Sequence, residues 1–293
     1  LELRDIEIFL TLAEELHFGR TAERLHVSQA RVSQAIKKQE RQIGTTLFER
    51  TSRNVRLTPI GERLFEELRP IYRSLQESLK RATLAARGQA STLRLGIMGP
   101  LSHEIGHILG TFRSRHPECV LQIREAHFSD PFGPLRAGEV DIQMAWLPIH
   151  EPDLTVGPVI LTESIVLALA SDHPLADRDS VSYEDLGDCV VFRVDPPIPT
   201  YWEAAVSPWH TPSGRPIPRG PAVSTFQEML ALISAGEAVS PVFAHGSRYY
   251  VRPDVVYLPI RDAPPGRWAL VWRTAGETGL VRAFAQAARD AHR

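Results

Sequence analysis

The sequence predicts a mainly α winged helix-turn-helix, continued by one long linker helix and followed by two α/β subdomains. Three observations predict it. Residues 18–44, FGRTAERLHVSQARVSQAIKKQERQIG, read as two short helices joined by a tight turn. Apolar residues recur at a helical interval from Ile60 to Ala86. Beyond Leu93, short apolar runs alternate with helical patterns, the mark of α/β architecture.

The first helix is expected at 3–17, where Ile6, Phe9, Leu10, Ala13 and Leu16 share one face and brace the two helices after it. In that pair of helices, Ala22, Leu25, Val27, Val32, Ile36 and Ile43 are spaced so that the apolar faces pack together. Ser28 stands at the N-cap of the second, where its hydroxyl can accept a backbone N–H. Gln29, Arg31, Ser33, Gln34, Lys37 and Lys38 then project outward. Amides and guanidinium groups near the start of such a helix suit base edges in a DNA major groove, and lysines further along suit phosphates. A solvated helical hairpin would share this periodicity, so the next segment matters. TLFERTSRNVRLTP offers two short runs, 47–50 and 55–58, around the turn-formers Thr51, Ser52, Arg53 and Asn54, which makes a β-hairpin wing. Arg50, Arg53 and Arg56 on its tip and flanks can follow a phosphate backbone or enter a narrow minor groove. Between Arg20 and Arg56 nine Lys or Arg face three Glu, although the whole chain carries a net charge of −2. The basic charge is concentrated at one end, which points to DNA binding there and a different task for the remainder.

At these residues the chain resembles the LysR-type transcriptional regulators. AERLHVSQ, VSQAI and QERQIGTTLFERTSRNVRLTPIGE follow that family's winged helix-turn-helix. The chain departs from the usual pattern at Ala30, where proline is common, and at Gln34, where arginine is frequent; this bears on the operator sequence and not on the fold. The resemblance implies sequence-specific regulation of transcription on double-stranded promoter or operator DNA with dyad symmetry. It further implies a homodimer or homotetramer, RNA polymerase as another partner, a small-molecule effector, and no cofactor.

Thr58 and Pro59 mark a helix start, and the helix is expected to run to about Arg87. Ile60, Leu64, Leu68, Ile71, Leu75, Leu79, Ala82 and Ala86 lie about 3.7 residues apart, close to the helical period, so one stripe persists along the element. The same helix of a second subunit would bury it and set two recognition helices on one face; the chain's own second half is the alternative cover. Pro70 deletes a hydrogen bond and crowds the Glu66 carbonyl at a cost of about 3 kcal/mol, which predicts a bend within a single helix. Residues 87–91 form a polar hinge. The expected division is therefore a winged domain at 1–58, a linker at 59–91 and a regulatory region at 92–293.

In the regulatory region, elements are expected at 93–98, 102–116, 120–125, 131–137 and 141–147. A second unit starts near Ser164 with SIVLALA and continues through 190–193, 226–235, 239–243 and 255–258; a strand at 268–272 and a helix at 280–291 close the chain. Through LRLGIMG, LRAGEVDIQMAW, LALASDHPLA and ALISAGEAVSPVF the family resemblance extends here as well. It implies two α/β subdomains of the periplasmic-binding-protein type (type 2), lobe I at about 92–162 and 266–293 and lobe II at about 163–265.

Facing α/β lobes leave a cleft, and open sheets bind ligands at strand C-termini and helix N-termini. Pro100, Leu101 and Ser102, with Ser102 opening a helix, and Ser224 and Thr225, opening another, are candidate effector contacts. Phe128, Ser129, Trp146, Phe192 and Arg193 end or follow strands beside them. Aromatic walls with one guanidinium would suit a small aromatic or carboxylated effector. Each residue also has a structural reading, Ser102 and Thr225 as helix caps and Trp146 as core. Eight prolines between Asp195 and Pro221 predict an irregular loop with at most a short helix near 201–206. It either shapes access to the cleft or serves as a surface connection.

Catalytic signatures are missing: there is no GxSxG, GxxxxGK[ST] or HExxH, and no GxGxxG after a strand. His103 and His107 are four apart on an expected helix but lack a third ligand, so no metal is expected. Cys119 and Cys189, outside any CxxC, predict two buried thiols, with a redox pair as the alternative. No apolar stretch approaches the roughly 18 residues of a membrane span, and the first helix is acidic and amphipathic, unlike a signal segment. A cytoplasmic non-enzyme without a membrane partner is expected. Two other readings stay open at this point: a small-molecule-binding protein or enzyme whose N-terminal domain only oligomerises, and a regulator with no diffusible effector.

Overall fold

A computed structural model describes residues 2–50, 55–86, 91–99 and 101–291, apart from the side chains at 50, 74, 77, 80–82 and 84–86. The chain divides into a first unit, Leu1–Gly88 with Arg136–Gly138, and a second made of Gln89–Leu135 and Glu139–Arg293.

In the first unit, α1 (Leu3–Glu15), α2 (Phe18–Arg24) and α3 (Gln29–Ile43) close around Ile8, Phe9, Leu12, Val32, Ala35 and Ile36, all fully buried. Each such side chain contributes about 1.5–3 kcal/mol on burial, Ala35 less. The Val27 amide donates to the Ala22 carbonyl at 3.0 Å and closes the turn between α2 and α3. Two expected core positions differ. Leu16 is 42% exposed because it forms the left-handed C-cap of α1, and Ile43 is 39% exposed because α3 ends there, before Gly44 at φ 86°.

Strands β1 (Phe48–Arg50) and β2 (Val55–Leu57) pair antiparallel, Phe48 opposite Leu57 and Glu49 opposite Arg56. Glu40 fixes the entry to this wing: its Oε1 accepts from the amides of Leu47 and Phe48 at 3.0 and 3.3 Å. Thr58 caps α4 (Pro59–Ala86) by accepting from the Gly61 amide at 3.0 Å. Only glycine fits at 61, since a Cβ would stand 2.2 Å from the Leu47 carbonyl oxygen. Helix α4 continues through Pro70 as one element. Its apolar stripe divides along its length. Leu64 and Leu68, with Phe65 and Tyr72, pack on the first unit's core, whereas Ile71, Leu75 and Leu79 remain 63%, 40% and 56% exposed.

The second unit begins with β3 (Thr92–Ile97), α5 (Gly106–Arg115), β4 (Val120–Glu125), α6 (Gly133–Arg136), β5 (Ile142–Trp146) and β6 (Leu154–Glu163). It continues with β7 (Ile165–Ala170), β8 (Val191–Val194), α7 (Thr200–Ala204), β9 (Arg219–Val223), α8 (Phe226–Ser234), β10 (Ser240–Phe243), α9 (His245–Tyr249) and β11 (Val255–Pro259). Last come β12 (Gly266–Arg273) and α10 (Gly279–Ala291). Lobe I is a five-stranded sheet, β4-β3-β5-β12-β6, in which β3, β4 and β5 run parallel and β12 runs antiparallel to both neighbours. Helices α5 and α10 pack together through Phe112 and Phe284, ring centroids 5.1 Å apart. Lobe II holds the antiparallel sheet β10-β7-β11 and the parallel pair β8-β9. Strands β5 and β7 are buried throughout; β7 reads as an unbroken apolar run, whereas β5 carries Gln143, whose Nε2 donates to the Pro131 carbonyl at 2.6 Å.

Only Ser164 separates β6 from β7, and β12 carries the chain back to the first sheet, so the lobes are joined where strands cross. These are two α/β subdomains of the periplasmic-binding-protein type behind a winged helix-turn-helix and a long helix. Strand β6 is not among the elements expected from sequence, because Gly157 and Pro158 interrupt its alternation. As an edge strand it tolerates the proline, and two register shifts against β12 absorb the irregularity. Helix α5 starts at Gly106, later than expected, because Leu101 and Ile105 are drawn fully into the core by a preceding turn. Among the described residues, no helix is long and apolar enough to cross a membrane.

Candidate DNA interface and ligand cavity

Ser28 occupies the N-cap of α3 as expected, its Oγ accepting from the Arg31 amide at 3.2 Å. Val32, Ala35, Ile36 and Gln39 point to the core. The opposite side presents Gln29, Ala30, Gln34 and Lys37 to solvent, with Ser33 half-buried at its margin. On the wing Arg56 is exposed; the Arg50 side chain and all of Arg53 lie outside the described residues.

Arg31 and Lys38 differ from the expectation of free outward projection. The Asp5 side chain of α1 is fully buried beside them, accepting from Arg31 at 2.8 Å through Oδ1 and from Lys38 Nζ at 3.1 Å through Oδ2. Gln39 Nε2 completes the joint by donating to the Asp5 carbonyl at 2.7 Å. The cause is helical geometry: positions 31 and 38, two turns apart, lie on the flank of α3 that meets α1. Burial opposes ionisation of Asp5, but the hydrogen bonds and charges of Lys38 and Arg31 outweigh it and hold the carboxyl below its ordinary range. The Asp5 hydrogen bond correspondingly raises Lys38.

A cavity of about 340 Å³ lies between the two lobes of the second unit. Two polar joints frame it. Trp146, at the end of β5, stacks on Trp202 of α7 with centroids 3.4 Å apart and planes 12° apart. Each indole N–H donates to the other residue's carbonyl, at 3.2 and 2.9 Å. At the lobe crossing, Glu163 Oε1 accepts from Trp268 Nε1 at 2.9 Å and meets His245 Nδ1 at 2.8 Å, while its Oε2 accepts from the His245 amide at 2.8 Å.

Phe128, Trp146, Phe192 and Thr225 line the cavity. Thr225 also caps α8, accepting from the Glu228 amide at 3.2 Å, so its structural and lining roles coexist. The other candidates fall elsewhere. Leu101 is core; Ser102 lies in the turn before α5 and opens no helix; Ser129 is not among the described lining residues; Pro100 lies outside the described residues. Ser224 turns its hydroxyl to Asp195 at 2.8 Å. Arg193 is exposed and its Nε donates to the Gly220 carbonyl at 3.2 Å, because alternation along β8 sends Phe192 and Val194 to the cavity and residue 193 away.

Sequence reasoning missed Glu203, Phe226, Phe243, His245, Tyr250 and Trp268, which also line it. The run VFAH at the C-terminal end of β10 carried a usable signal, since residues at and just beyond strand ends face such clefts. The proline-rich segment is more than a surface connection: Ile198, Glu203, Val206 and Ser207 form part of the wall. His103 and His107 do not share a helix. His103 stacks on Tyr249 at 5.3 Å, and Glu104 beside it accepts from Arg248 and Tyr249 at 2.6 and 3.0 Å, bracing lobe I against α9. Cys119 and Cys189 are both free thiols in buried settings. Burial raises both, Cys189 to about 11, which disfavours the reactive thiolate.

The family model of the LysR substrate binding domain matches residues 86–293, and that of the bacterial regulatory helix-turn-helix proteins of the lysR family matches residues 3–62. The HTH-type transcriptional regulator AlsR of Bacillus subtilis (strain 168) is 29% identical over 97% of this chain and 94% of its own. The uncharacterized HTH-type transcriptional regulator YnfL of Escherichia coli (strain K12) is 31% identical over 93% of this chain and 92% of its own. Among solved structures, CbnR, a LysR family transcriptional regulator, matches over 100% of both chains with a TM-score of 0.71 at 21% identity. Full-length CbnR complexed with its target DNA matches over 99% of this chain and 100% of that one, with a TM-score of 0.68 at 22% identity. At such identities the structural likeness speaks to the fold alone. The two family matches together span nearly the whole sequence: the chain belongs to the LysR family of DNA-binding transcriptional regulators, and its work is regulation and not catalysis.

Proposed function

We propose that α3 enters the major groove of a dyad-symmetric operator, with Gln29, Ser33 and Gln34 at base edges and Lys37 on phosphate. The observation that carries this reading is the open polar face of α3, capped by Ser28 and set opposite its buried side. Arg50, Arg53 and Arg56 of the wing follow the flanking backbone. Arg31 and Lys38 serve α3 by positioning it against Asp5. Two copies pair through the exposed half of the α4 stripe, Ile71, Leu75 and Leu79, which gives the dyad that the operator requires. The division of labour follows 1–58, 59–91 and 92–293. A small effector in the inter-lobe cavity biases the arrangement of a dimer or tetramer on a cytoplasmic promoter, and through it the access of RNA polymerase. A ligand shifts such an equilibrium only by binding one lobe arrangement more tightly than another. CbnR, solved with its target DNA, supports the same use of this fold.

Footprinting of purified protein across promoter fragments tests the reading. Protection of two half-sites about one helical turn, or a multiple of it, apart is expected; salt-insensitive binding without a defined footprint would overturn it.

A further inference from the structure

The lining of the inter-lobe cavity limits the charge of what it can hold. Among the described lining residues there is no lysine and no arginine, whereas Glu125 and Glu203 both contribute. Arg193, the guanidinium expected at a carboxylated ligand, points out of the cavity to the Gly220 carbonyl. Arg219 is committed within the wall. Its NH1 donates to Ser207 Oγ at 2.7 Å and to the Phe192 carbonyl at 3.4 Å, its NH2 to the carbonyls of Ser207 and Pro208, and its Cζ lies 4.2 Å from the Trp209 ring centroid.

The positive end of α8 is answered from within the chain as well. Thr225 takes the Glu228 amide, and the Glu228 carboxylate reaches back to the amide of Ser224, one residue before the cap, at 2.9 Å, which sets the helix's own anion over its first turn. An anionic ligand entering here would lose its hydration beside Glu203, with Arg219 already engaged by Ser207, Pro208 and Phe192 and with His245 engaged by Glu163.

A cation meets the opposite situation. Glu203 is buried, and only its Oε1 is engaged by a described backbone donor, the Val194 amide at 3.1 Å. Burial raises Glu203 above the usual carboxylate range, with the Val194 amide, Arg219 and Arg193 opposing, so a positive group beside it would relieve its desolvation. His245 is engaged by Glu163 through both its Nδ1 and its amide, so that ring is already answered by a carboxylate. Phe128, Phe192, Phe226, Tyr250 and Trp268 supply ring faces, which attract cations through their quadrupoles. At about 340 Å³ the space suits a small ligand.

We infer that the effector is a small organic cation, an ammonium or amidinium group on a flat aromatic or apolar body, with the charged nitrogen beside Glu203 and the body between the rings. This rests on the cavity being the effector site. Three probes of nearly one shape separate the two ideas: 2-phenylethylamine, the neutral 2-phenylethanol and the anionic 3-phenylpropionate, titrated calorimetrically into the full-length protein at neutral pH. The amine is expected to bind about tenfold or more tightly than either partner. Glu203→Gln, which keeps an acceptor for the Val194 amide, is expected to erase the amine's advantage while leaving the alcohol unchanged. Equal or tighter binding of the carboxylate or the alcohol, or discrimination that survives in Glu203→Gln, would overturn the charge assignment and leave the cavity as a site. Failure of all three probes to bind up to millimolar concentration would remove the cavity's role together with it.

Discussion

Helices α3 and α8 are built on one plan and put to different uses. Each begins at a hydroxyl cap, Ser28 or Thr225, that accepts the amide three residues on. Helix α3 turns a continuous polar face to solvent, while α8 contributes Phe226, Gln227 and Met229 to a wall completed by residues as distant as Met98 and Trp268. A surface carried by one helix is organised by a single period. A cavity is organised by topology, which no local period encodes.

The contrast can be broken from either side. The largest effect is expected at the cavity: Trp202→Ala removes the stack on Trp146 and both indole–carbonyl hydrogen bonds. It should cost about 3–5 kcal/mol of stability, and a urea midpoint equal to wild type would contradict the clasp. Next, Leu75→Glu places a charge in the exposed stripe of α4 and forfeits about 1.5–3 kcal/mol per copy in any pairing through it. Sedimentation should show a shift toward single subunits, and undiminished assembly would send the pairing surface elsewhere. Gln34→Ala, on the open face of α3, should narrow the preference for cognate over altered base pairs by about 1–3 kcal/mol. An unchanged specificity ratio in competition titrations would remove Gln34 from base readout.

The smallest effect is expected at Asp5. Its carboxyl is held below the ordinary range, so its contribution is present above the unfolded value, near pH 3.9, and is lost as pH falls through the folded value. The stability advantage of wild type over Asp5→Asn should therefore hold from pH 7 to about 4 and shrink below it. An advantage that grows on acidification would reverse the assignment.

Legibility followed the same divide. The fold class was readable because β7 is an unbroken apolar run, the caps at Ser28 and Thr58 are local, and the outer face of α3 follows from its inner one. Phe192 was readable as a strand end, but its neighbour Arg193 was not, since one step along a strand reverses a side chain. Asp5 escaped notice because the partners that bury it, Arg31 and Lys38, lie 26 and 33 residues further on. Glu203 and His245 depend on how the proline-rich segment and the strand crossings fold back, and nothing in their own neighbourhoods announces it.

The central claim is that the outer face of α3 meets the duplex while its Asp5 flank does not. Salt-dependent binding of promoter DNA by wild type, Lys37→Ala and Arg31→Ala tests it most directly. Loss of one phosphate contact should lower the slope of log K against log salt by about 0.9 for Lys37→Ala, with the slope for Arg31→Ala equal to wild type. A reduced slope for Arg31→Ala, or an unchanged one for Lys37→Ala, would contradict the account.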